Sequence, residues 1–361
     1  METKLFSLTD DNSITELLYE PAQIIKSGGL VVFPTETVYG LGADATNPDA
    51  TSKIYAAKGR PSDNPLIIHI ADPKDAELYA FTNPTYYSLA EHFMPGPLTV
   101  ILNAKDTVPL TTRGGLGTVA VRCPEHPIAR ELIRLASVAV AAPSANLSGS
   151  PSPTSFEHVC ADMNGRVDAI IDGGDCDFGL ESTIVRIDDS GTLTLLRPGK
   201  ITKEDLEALG HSVVIANAVT DSLKEGEIAI SPGMKYRHYA PTAPVILLDG
   251  TKEQVAEYII RSTDKNSRVA IITYEDDAEY ITNAVSGITV YKFGSRGDDV
   301  AQAHLLFKLL RDTDKENYDV IYAPLPEASG IGLALYNRMI RAAAHNIIDC
   351  DGLKNGKKKE N

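Results

Sequence analysis

The sequence predicts an α/β protein with two domains. Over the first two-thirds of the chain, short β-branched apolar runs alternate with helix-forming stretches, as expected for a sheet covered by helices. This alternation stops in a proline-containing segment between Ala216 and Pro244 and then resumes. We therefore expect four parts: a large α/β domain over 1–216, a linker over 217–244, a smaller α/β domain over 245–350 and a basic tail over 351–361.

The large domain is predicted to contain buried strands separated by turns, helices and one long loop. Gly28-Gly29 is a helix-stop pair before the first strand. Asn47-Pro48 supplies an N-cap and a first-turn proline for a helix that should run to about Lys58. A second helix is predicted over Ile128–Ala136, and the proline- and serine-rich segment Pro143–Ser155 is predicted to be a long loop, which is often functional. The predicted strands are Leu30–Phe33, Leu66–Ile70, Leu98–Leu102, Thr118–Arg122, Val138–Ala141, Ala169–Asp172, Thr183–Ile187 and Leu193–Arg197.

The smaller domain is predicted to be Rossmann-like, with a parallel sheet. It lacks a G-x-G-x-x-G sequence after its first strand, so we predict no dinucleotide site there. Its predicted strands are Val245–Leu248, Val269–Thr273, Thr289–Tyr291 and Val320–Ala323. Its predicted helices are Lys252–Arg261, Val300–Arg311 and Gly332–Ala344.

Composition argues against several functional classes. A formal net charge of −15 disfavours general nucleic-acid binding, and we expect no stable complex with nucleic acid. No apolar stretch reaches the ~18 residues of a membrane span, and the first residues do not resemble a secretory signal. The four scattered cysteines form no C-x-x-C pair, which argues against a zinc site and favours a reducing cytoplasm. The basic tail is expected to be solvated, with RNA contact as the less favoured alternative.

Short polar motifs recur at the predicted strand ends, whereas no Walker loop, G-x-S-x-G or H-E-x-x-H sequence is present. Hydroxyls, amides, glycines and single arginines dominate them, a mixture that suits hydrogen bonding to oxyanions better than proton transfer. Each motif alone is weak evidence, since His69 could be a satisfied core residue and Arg122 an ordinary ion-pair partner. The motifs are Phe33–Gly42, Lys58–His69, Thr118–Pro124, Ala141–Gly149, Glu181–Val185 and Leu195–Gly199.

Lys58 and Arg60 stand two residues apart, just before the predicted strand Leu66–Ile70. One interpretation is a solvated basic loop. The other is an anion site at the mouth of the strand, held by a few local cations in a chain that is acidic as a whole.

Five of these segments together resemble the YrdC-like family of threonylcarbamoyl-AMP synthases: Phe33–Gly42, Lys58–His69, Ala141–Asn146, Glu181–Val185 and Leu195–Gly199. The segment Ser231–Pro241 (SPGMKYRHYAP) and the domain after it resemble the long, two-domain form, so the resemblance extends from about Thr15 to Asp349. It implies a twisted, open α/β sheet in the large domain with a concave, positively charged cavity. The implied enzyme is a nucleotidyltransferase that makes L-threonylcarbamoyl-adenylate from L-threonine, bicarbonate and ATP and releases pyrophosphate. Magnesium would enter with ATP, and a downstream transferase complex would pass the group to the tRNA adenosine beside the anticodon.

The resemblance also implies roles for individual residues. Lys58 and Arg60 would face the phosphates and the carbamate, with Arg122 binding the carboxylate of the amino acid through its guanidinium fork. The implied threonine-binding set is Thr37, His69, Arg122, the backbone at Ala142 and Ser182. The implied ATP-binding set is Arg60, Asn64, Thr118, Ser144, Ser152, Arg197 and Tyr236. No residue is expected to ligate a metal, because phosphate oxygens and water would bind Mg²⁺.

Two other functions compete with this interpretation. A hydrogenase-maturation carbamoyltransferase has a similar domain, but it also has paired-cysteine zinc modules, and this chain has no C-x-x-C. A non-enzymatic RNA-binding module is disfavoured by the acidic charge and the lack of clustered aromatic and basic residues. The small domain could support a lid, dock a partner or retain product. The run Lys235–Tyr239 suits a lid over a nucleotide, with Tyr236 as the contact, or simple packing of the linker.

Overall fold

The computed structural model describes residues 2–7, 13–221, 239–264 and 266–351. The chain divides into two compact units, one made from residues 1–148 and 152–236 and the other from 149–151 and 237–361. The boundary near 236 and most of the predicted linker lie outside the described residues, as do Tyr236 and the tail 352–361. Residues 217–219 form a 3-10 turn in the first unit, with Ala218 and Val219 buried.

The first unit is a mixed sheet of twelve strands with helices against it. Its strands are β1 (Lys4–Ser7), β2 (Val31–Phe33), β3 (Gly40–Asp44), β4 (Ile67–His69), β5 (Ala80–Phe81), β6 (Leu98–Ala104), β7 (Thr118–Arg122), β8 (Val140–Ala141), β9 (Ala169–Asp172), β10 (Thr183–Ile187), β11 (Leu193–Arg197) and β12 (Val213–Ile215). Its helices are α1 (Ile14–Lys26), α2 (Pro48–Lys58), α3 (Pro84–Phe93), α4 (Pro127–Ala136), α5 (Phe156–Met163) and α6 (Lys203–Ala208). A 3-10 helix spans Pro73–Leu78.

The strand order is β1-β9-β2-β3-β8-β4-β7-β6-β10-β11-β12, and β5 pairs with β6 beside this path. In the middle of the sheet, β4 and β7 are parallel, β7 and β6 antiparallel, and β6 and β10 parallel. Strands distant in sequence are therefore neighbours, and the loops at their ends meet.

One core cluster fixes this sheet to its helices. Leu18 and Ile25 of α1 pack with Leu132 of α4 against Val31 and Ile171, and all five side chains are buried. A capping box starts α1: the Ser13 side chain accepts from the Glu16 backbone, and the Glu16 side chain accepts from the Ser13 backbone. Packing and capping together hold the helices on the sheet.

The second unit is a five-stranded sheet in the order β15-β14-β16-β13-β17, with every described pairing parallel. Its strands are β13 (Val245–Asp249), β14 (Val269–Thr273), β15 (Ile288–Lys292), β16 (Val320–Pro324) and β17 (Ile347–Asp349). Its helices are α7 (Lys252–Ser262), α8 (Glu275–Ala284), α9 (Asp299–Asp314) and α10 (Gly332–Ala342). The predicted α/β class and the parallel sheet are confirmed. Among the helices of the described residues, none is long and apolar enough to cross a membrane.

Candidate functional site

Polar side chains form a row across the middle of the first sheet. His69 on β4 is the register partner of Arg122 on β7, and Arg122 is the partner of Thr99 on β6. Thr99 pairs with Ile184 on β10, which in turn pairs with Arg197 on β11. Because residues directly opposite each other on adjacent strands point to the same face, these side chains share one face of the sheet.

Ser182 joins two members of this row. Its hydroxyl lies 2.7 Å from the Thr99 hydroxyl, and Arg197 donates to it from Nη2 at 3.0 Å. Arg197 also donates from Nε to the Ser182 carbonyl at 2.9 Å. All three residues are buried, so their mutual hydrogen bonds fix the positions of a cation and two hydroxyls.

Arg122 is held by Glu36 from the loop between β2 and β3. The Nη2 of Arg122 lies 2.7 Å from Oε1 of Glu36, and only 5% of each side chain is exposed. Burial alone would raise the pKa of Glu36, but the charge of Arg122 and its hydrogen bond hold that pKa below its ordinary value. The nearby amides of Glu36 and Glu125 also lower this pKa. Glu36 is therefore a buried carboxylate, and its second oxygen, Oε2, receives no hydrogen bond of normal geometry from the described residues.

His69 is neutral at physiological pH. Burial, reinforced by the neighbouring Arg122 charge, lowers the pKa of His69 to about 3. The Phe33 and His69 rings pack in a T-shaped arrangement with their centroids 6.2 Å apart. The imidazole can therefore offer a hydrogen bond but stays unprotonated beside Arg122.

Thr37 and Glu36 belong to a loop that is tied to the segment before β10. The Phe178 amide donates to the Glu36 carbonyl at 2.9 Å, and the Gly179 amide donates to the Thr37 carbonyl at 3.2 Å. The Thr35 and Thr37 hydroxyls lie 2.9 Å apart, and both residues are buried. These bonds place Thr37 next to the carboxylate that holds Arg122.

Lys58, the last residue of α2, points into the loop after β8. Its ammonium donates to the carbonyl oxygens of Ser144 and Asn146, each at 2.5 Å, and the side chain is buried. Ser144 in turn donates to the Asn146 side chain at 2.5 Å. Gly59 ends the helix with φ of +62°, a conformation that costs glycine little. Lys58 is therefore not a solvated lysine; it orders the Pro-Ser-Ala-Asn turn.

The other predicted residues make local hydrogen bonds near the ends of these strands. Arg60 donates from Nη2 to the Pro65 carbonyl at 3.2 Å and lies next to Asn64. Ser152 donates to the Glu181 side chain at 2.5 Å. Glu181 directly precedes Ser182 in the chain. The Ala142 amide donates to the Ile67 carbonyl at 2.9 Å.

Thr118 is more distant from the centre of the row. It begins β7 four residues before Arg122, so it faces the same side of the sheet roughly 13 Å away. An extended ligand such as a nucleotide would be needed to reach both residues.

Four polar residues in this region were not singled out from the sequence. Glu36 and Glu181 lie inside quoted motifs, and Asn146 follows the predicted Ser144. Thr99 lies within an apolar strand and gave no signal at all. The contacts of these four residues join segments that are distant in sequence, so they depend on how the strands pair and cannot be found from local motifs. The residues at issue are Glu36, Thr99, Asn146 and Glu181.

Two family models together match most of this chain. One, described as "Telomere recombination", matches residues 23–199. The other, described as "Threonylcarbamoyl-AMP synthase, C-terminal domain", matches residues 201–344. A curated relative from Bacillus subtilis named threonylcarbamoyl-AMP synthase is 42% identical over 96% of this chain and 100% of its own length. The chain belongs to the threonylcarbamoyl-AMP synthase family.

Other members of the threonylcarbamoyl-AMP synthase family confirm the similarity over both units. The Pyrococcus abyssi enzyme of that name is 43% identical over 91% of this chain and 94% of its own length. The crystal structure of P. abyssi Sua5 complexed with L-threonine superimposes with a TM-score of 0.86 at 40% identity, covering 96% of this chain and 99% of that one. The resemblance predicted from the motifs is confirmed.

Proposed function

We propose that this protein condenses L-threonine, bicarbonate and ATP into L-threonylcarbamoyl-adenylate and releases pyrophosphate. The observation that carries this proposal is the buried row of His69, Arg122, Thr99 and Arg197, joined by Ser182, because it offers fixed cations and hydroxyls around a neutral imidazole. Family membership supports the same reaction.

In this proposal Arg122 binds the carboxylate of L-threonine, since a guanidinium can face two oxygens at once. Ser182 and Thr37 bind through their hydroxyls, and neutral His69 and the backbone at Ala142 complete the pocket. A site that hydrogen-bonds the substrate hydroxyl rejects analogues that lack it.

The ATP contacts are proposed on the other side of this centre. Arg197, which donates to Ser182, is proposed to contact the nucleotide as well, and Lys58 to act partly by ordering the turn that holds Ser144. The proposed set is Lys58, Arg60, Asn64, Thr118, Ser144, Ser152, Arg197 and Tyr236.

The chemistry needs positioning and positive charge more than a base. The neutral threonine nitrogen bonds to the carbon of bicarbonate, and the bicarbonate hydroxyl leaves as water with a proton from the nitrogen. The anionic oxygen of the resulting carbamate attacks the α-phosphorus of ATP. A bond forms between that oxygen and phosphorus, the bond to the bridging oxygen breaks, and pyrophosphate leaves with the electron pair. Fixed cations lower the barrier to bringing two anions together.

Magnesium is proposed to enter with ATP and to neutralise phosphate charge. In the part of the chain that the structure describes, no group of three or more His, Cys, Asp or Glu side chains is arranged to hold a metal ion. We propose that phosphate oxygens and water supply its ligands. We further propose that the adenylate passes to a tRNA threonylcarbamoyl transferase complex, which places the activity in the cytoplasm.

The proposal is tested by pyrophosphate release with ATP, Mg²⁺, bicarbonate and one amino acid at a time. Release should require both L-threonine and bicarbonate, and mass spectrometry should detect the threonylcarbamoyl-adenylate. Equal rates with L-valine or L-alanine would contradict the assignment of Thr37 and Ser182.

A further inference from the structure

The Glu36 carboxylate is a buried charge that is only half satisfied. Oε1 is bonded to Arg122 at 2.7 Å, whereas Oε2 is buried and receives no hydrogen bond of normal geometry from the described residues, although the amides of Glu36 and Glu125 lie near the carboxyl and help to lower its pKa. Glu36 is only 4% exposed, so bulk water has little access to this oxygen. A buried carboxylate oxygen without a donor carries a desolvation penalty that a bound donor would relieve.

The position of this carboxylate is unexpected if Arg122 serves only to bind an anion. A bare arginine would attract a substrate carboxylate more strongly than one already paired with glutamate. A buried ion pair is also weak evidence for stability, because desolvation of both charges offsets their attraction. The pair is therefore better explained by a ligand that carries one positive and one negative group, each of which can bind one member of the pair.

An α-amino acid is such a ligand, because its ammonium and carboxylate groups are attached to the same carbon atom. Glu36 and Arg122 are in direct contact, so they match two opposite ligand charges that are also adjacent. The backbone of the loop that carries Glu36 is held by the amides of Phe178 and Gly179, which lie shortly before Ser182 in the chain.

We propose that Oε2 of Glu36 binds the α-amino group of L-threonine while Arg122 binds its carboxylate. This inference rests on the proposed function and adds one residue to the substrate site. The nitrogen keeps one N–H when the carbamate forms, so the same hydrogen bond can hold it while the carbamate oxygen attacks ATP. Glu36 would then set the direction in which the carbamate points.

Calorimetric binding of two ligands to the full-length protein separates this role from simple support of Arg122. L-threonine carries the amino group, and (R)-3-hydroxybutanoate keeps the carboxylate and hydroxyl but lacks it. Glu36→Gln should weaken L-threonine binding at least tenfold. It should not weaken binding of the analogue, whose carboxylate then meets an Arg122 that is no longer neutralised by a glutamate. Equal weakening of both ligands would mean that Glu36 only orients Arg122 and would overturn the proposal, as would unchanged threonine binding.

Two further variants keep the test decisive. Glu131→Gln is the matched control, since Glu131 also pairs with an arginine, Arg134, but on the exposed side of α4; it should change neither affinity. If Glu36→Gln does not fold, Glu36→Asp is the alternative variant, because it keeps the charge but shortens the side chain by one methylene. It should weaken binding of L-threonine without weakening binding of the analogue. A wild-type protein that binds no L-threonine would overturn the proposed function itself, whereas threonine binding insensitive to Glu36 would overturn only this inference.

Discussion

Arg197 donates two hydrogen bonds to Ser182, one to the carbonyl at 2.9 Å and one to the hydroxyl at 3.0 Å. The same hydroxyl contacts Thr99 at 2.7 Å. Ser182 thus connects Arg197, which is proposed to contact the nucleotide, to the proposed threonine pocket.

Ser182→Ala should lower both stability and substrate selectivity. It removes the hydrogen bond that the buried Thr99 hydroxyl makes to Ser182 and one of those that Arg197 makes, which costs about 1–3 kcal/mol of unfolding free energy. It should also reduce the preference for L-threonine over L-valine in pyrophosphate release. Urea unfolding and competition assays measure the two effects. Ser190→Ala, in an exposed turn, is the control and should stay within ~0.5 kcal/mol of wild type.

Lys58→Ala should slow adenylate formation and loosen the turn after β8. The buried ammonium donates to Ser144 and Asn146, so its loss frees their carbonyls as well as removing a charge. We expect a rate loss of roughly a hundredfold, the typical worth of one charge-stabilising donor, together with faster hydrogen exchange in residues 144–148.

The control for this experiment lies on the same helix. Lys53 donates to the Gly28 carbonyl at 2.7 Å, away from the site, so Lys53→Ala should change neither quantity. Arg60→Ala should slow the reaction to a similar extent without the change in exchange. Normal turnover of both Lys58→Ala and Arg60→Ala would mean that neither cation acts in the reaction and that the segment is an ordinary basic loop.

His69 makes stability depend on pH in a defined window. Its folded pKa of about 3 lies below the ordinary 6.5, so between these values the unfolded chain binds a proton that the folded protein does not. The free energy of unfolding therefore falls as pH falls from 6.5, by up to ~1.4 kcal/mol per pH unit from this group. The stabilisation from Glu36, whose pKa is lowered, is lost only below its ordinary 4.5.

Urea unfolding of wild type and His69→Gln at pH 4.5–6.5 measures this contribution. The variant should show the shallower dependence, because it lacks the titrating group. Identical slopes would mean that His69 titrates normally in the folded protein.

Tyr239 should matter for folding of the second unit. Its ring stacks on Phe307 at 5.1 Å, and it is buried. Its reactivity toward chemical modification is therefore low before any ligand binds, and it does not suit the role of a lid residue that ligand binding would newly protect. Tyr239→Ala should cost about 3–5 kcal/mol of unfolding free energy. Tyr280→Ala, at an exposed tyrosine, should cost much less, and equal effects would contradict the packing role.

Local signals predicted part of the fold well. The N-cap at Asn47, the following proline and the glycine after Lys58 define α2, and the structure has that helix with the same bounds. The sequence did not predict β3, because Gly40–Asp44 contains no β-branched residue. It also did not predict α8, because the sequence of that helix is largely polar. Tertiary pairing and packing stabilise both elements where local propensity is weak.

The candidate site was predicted only as a set of residue types and short motifs. Neither the pair of Glu36 with Arg122 nor the contact of Thr99 with Ser182 can be inferred from spacing, because each joins segments more than eighty residues apart. Such contacts depend on register between strands that are distant in sequence.

The row from His69 to Arg197 has a consequence for biosynthesis. It is assembled from five strands, and β11 closes it after more than half of the chain has been made. Long-range strand pairing of this kind forms late and slowly. A nascent chain on the ribosome therefore cannot form the proposed threonine pocket until Arg197 has emerged. By that proposal, free threonine would bind only molecules whose central sheet is complete and would stabilise them as a folding ligand.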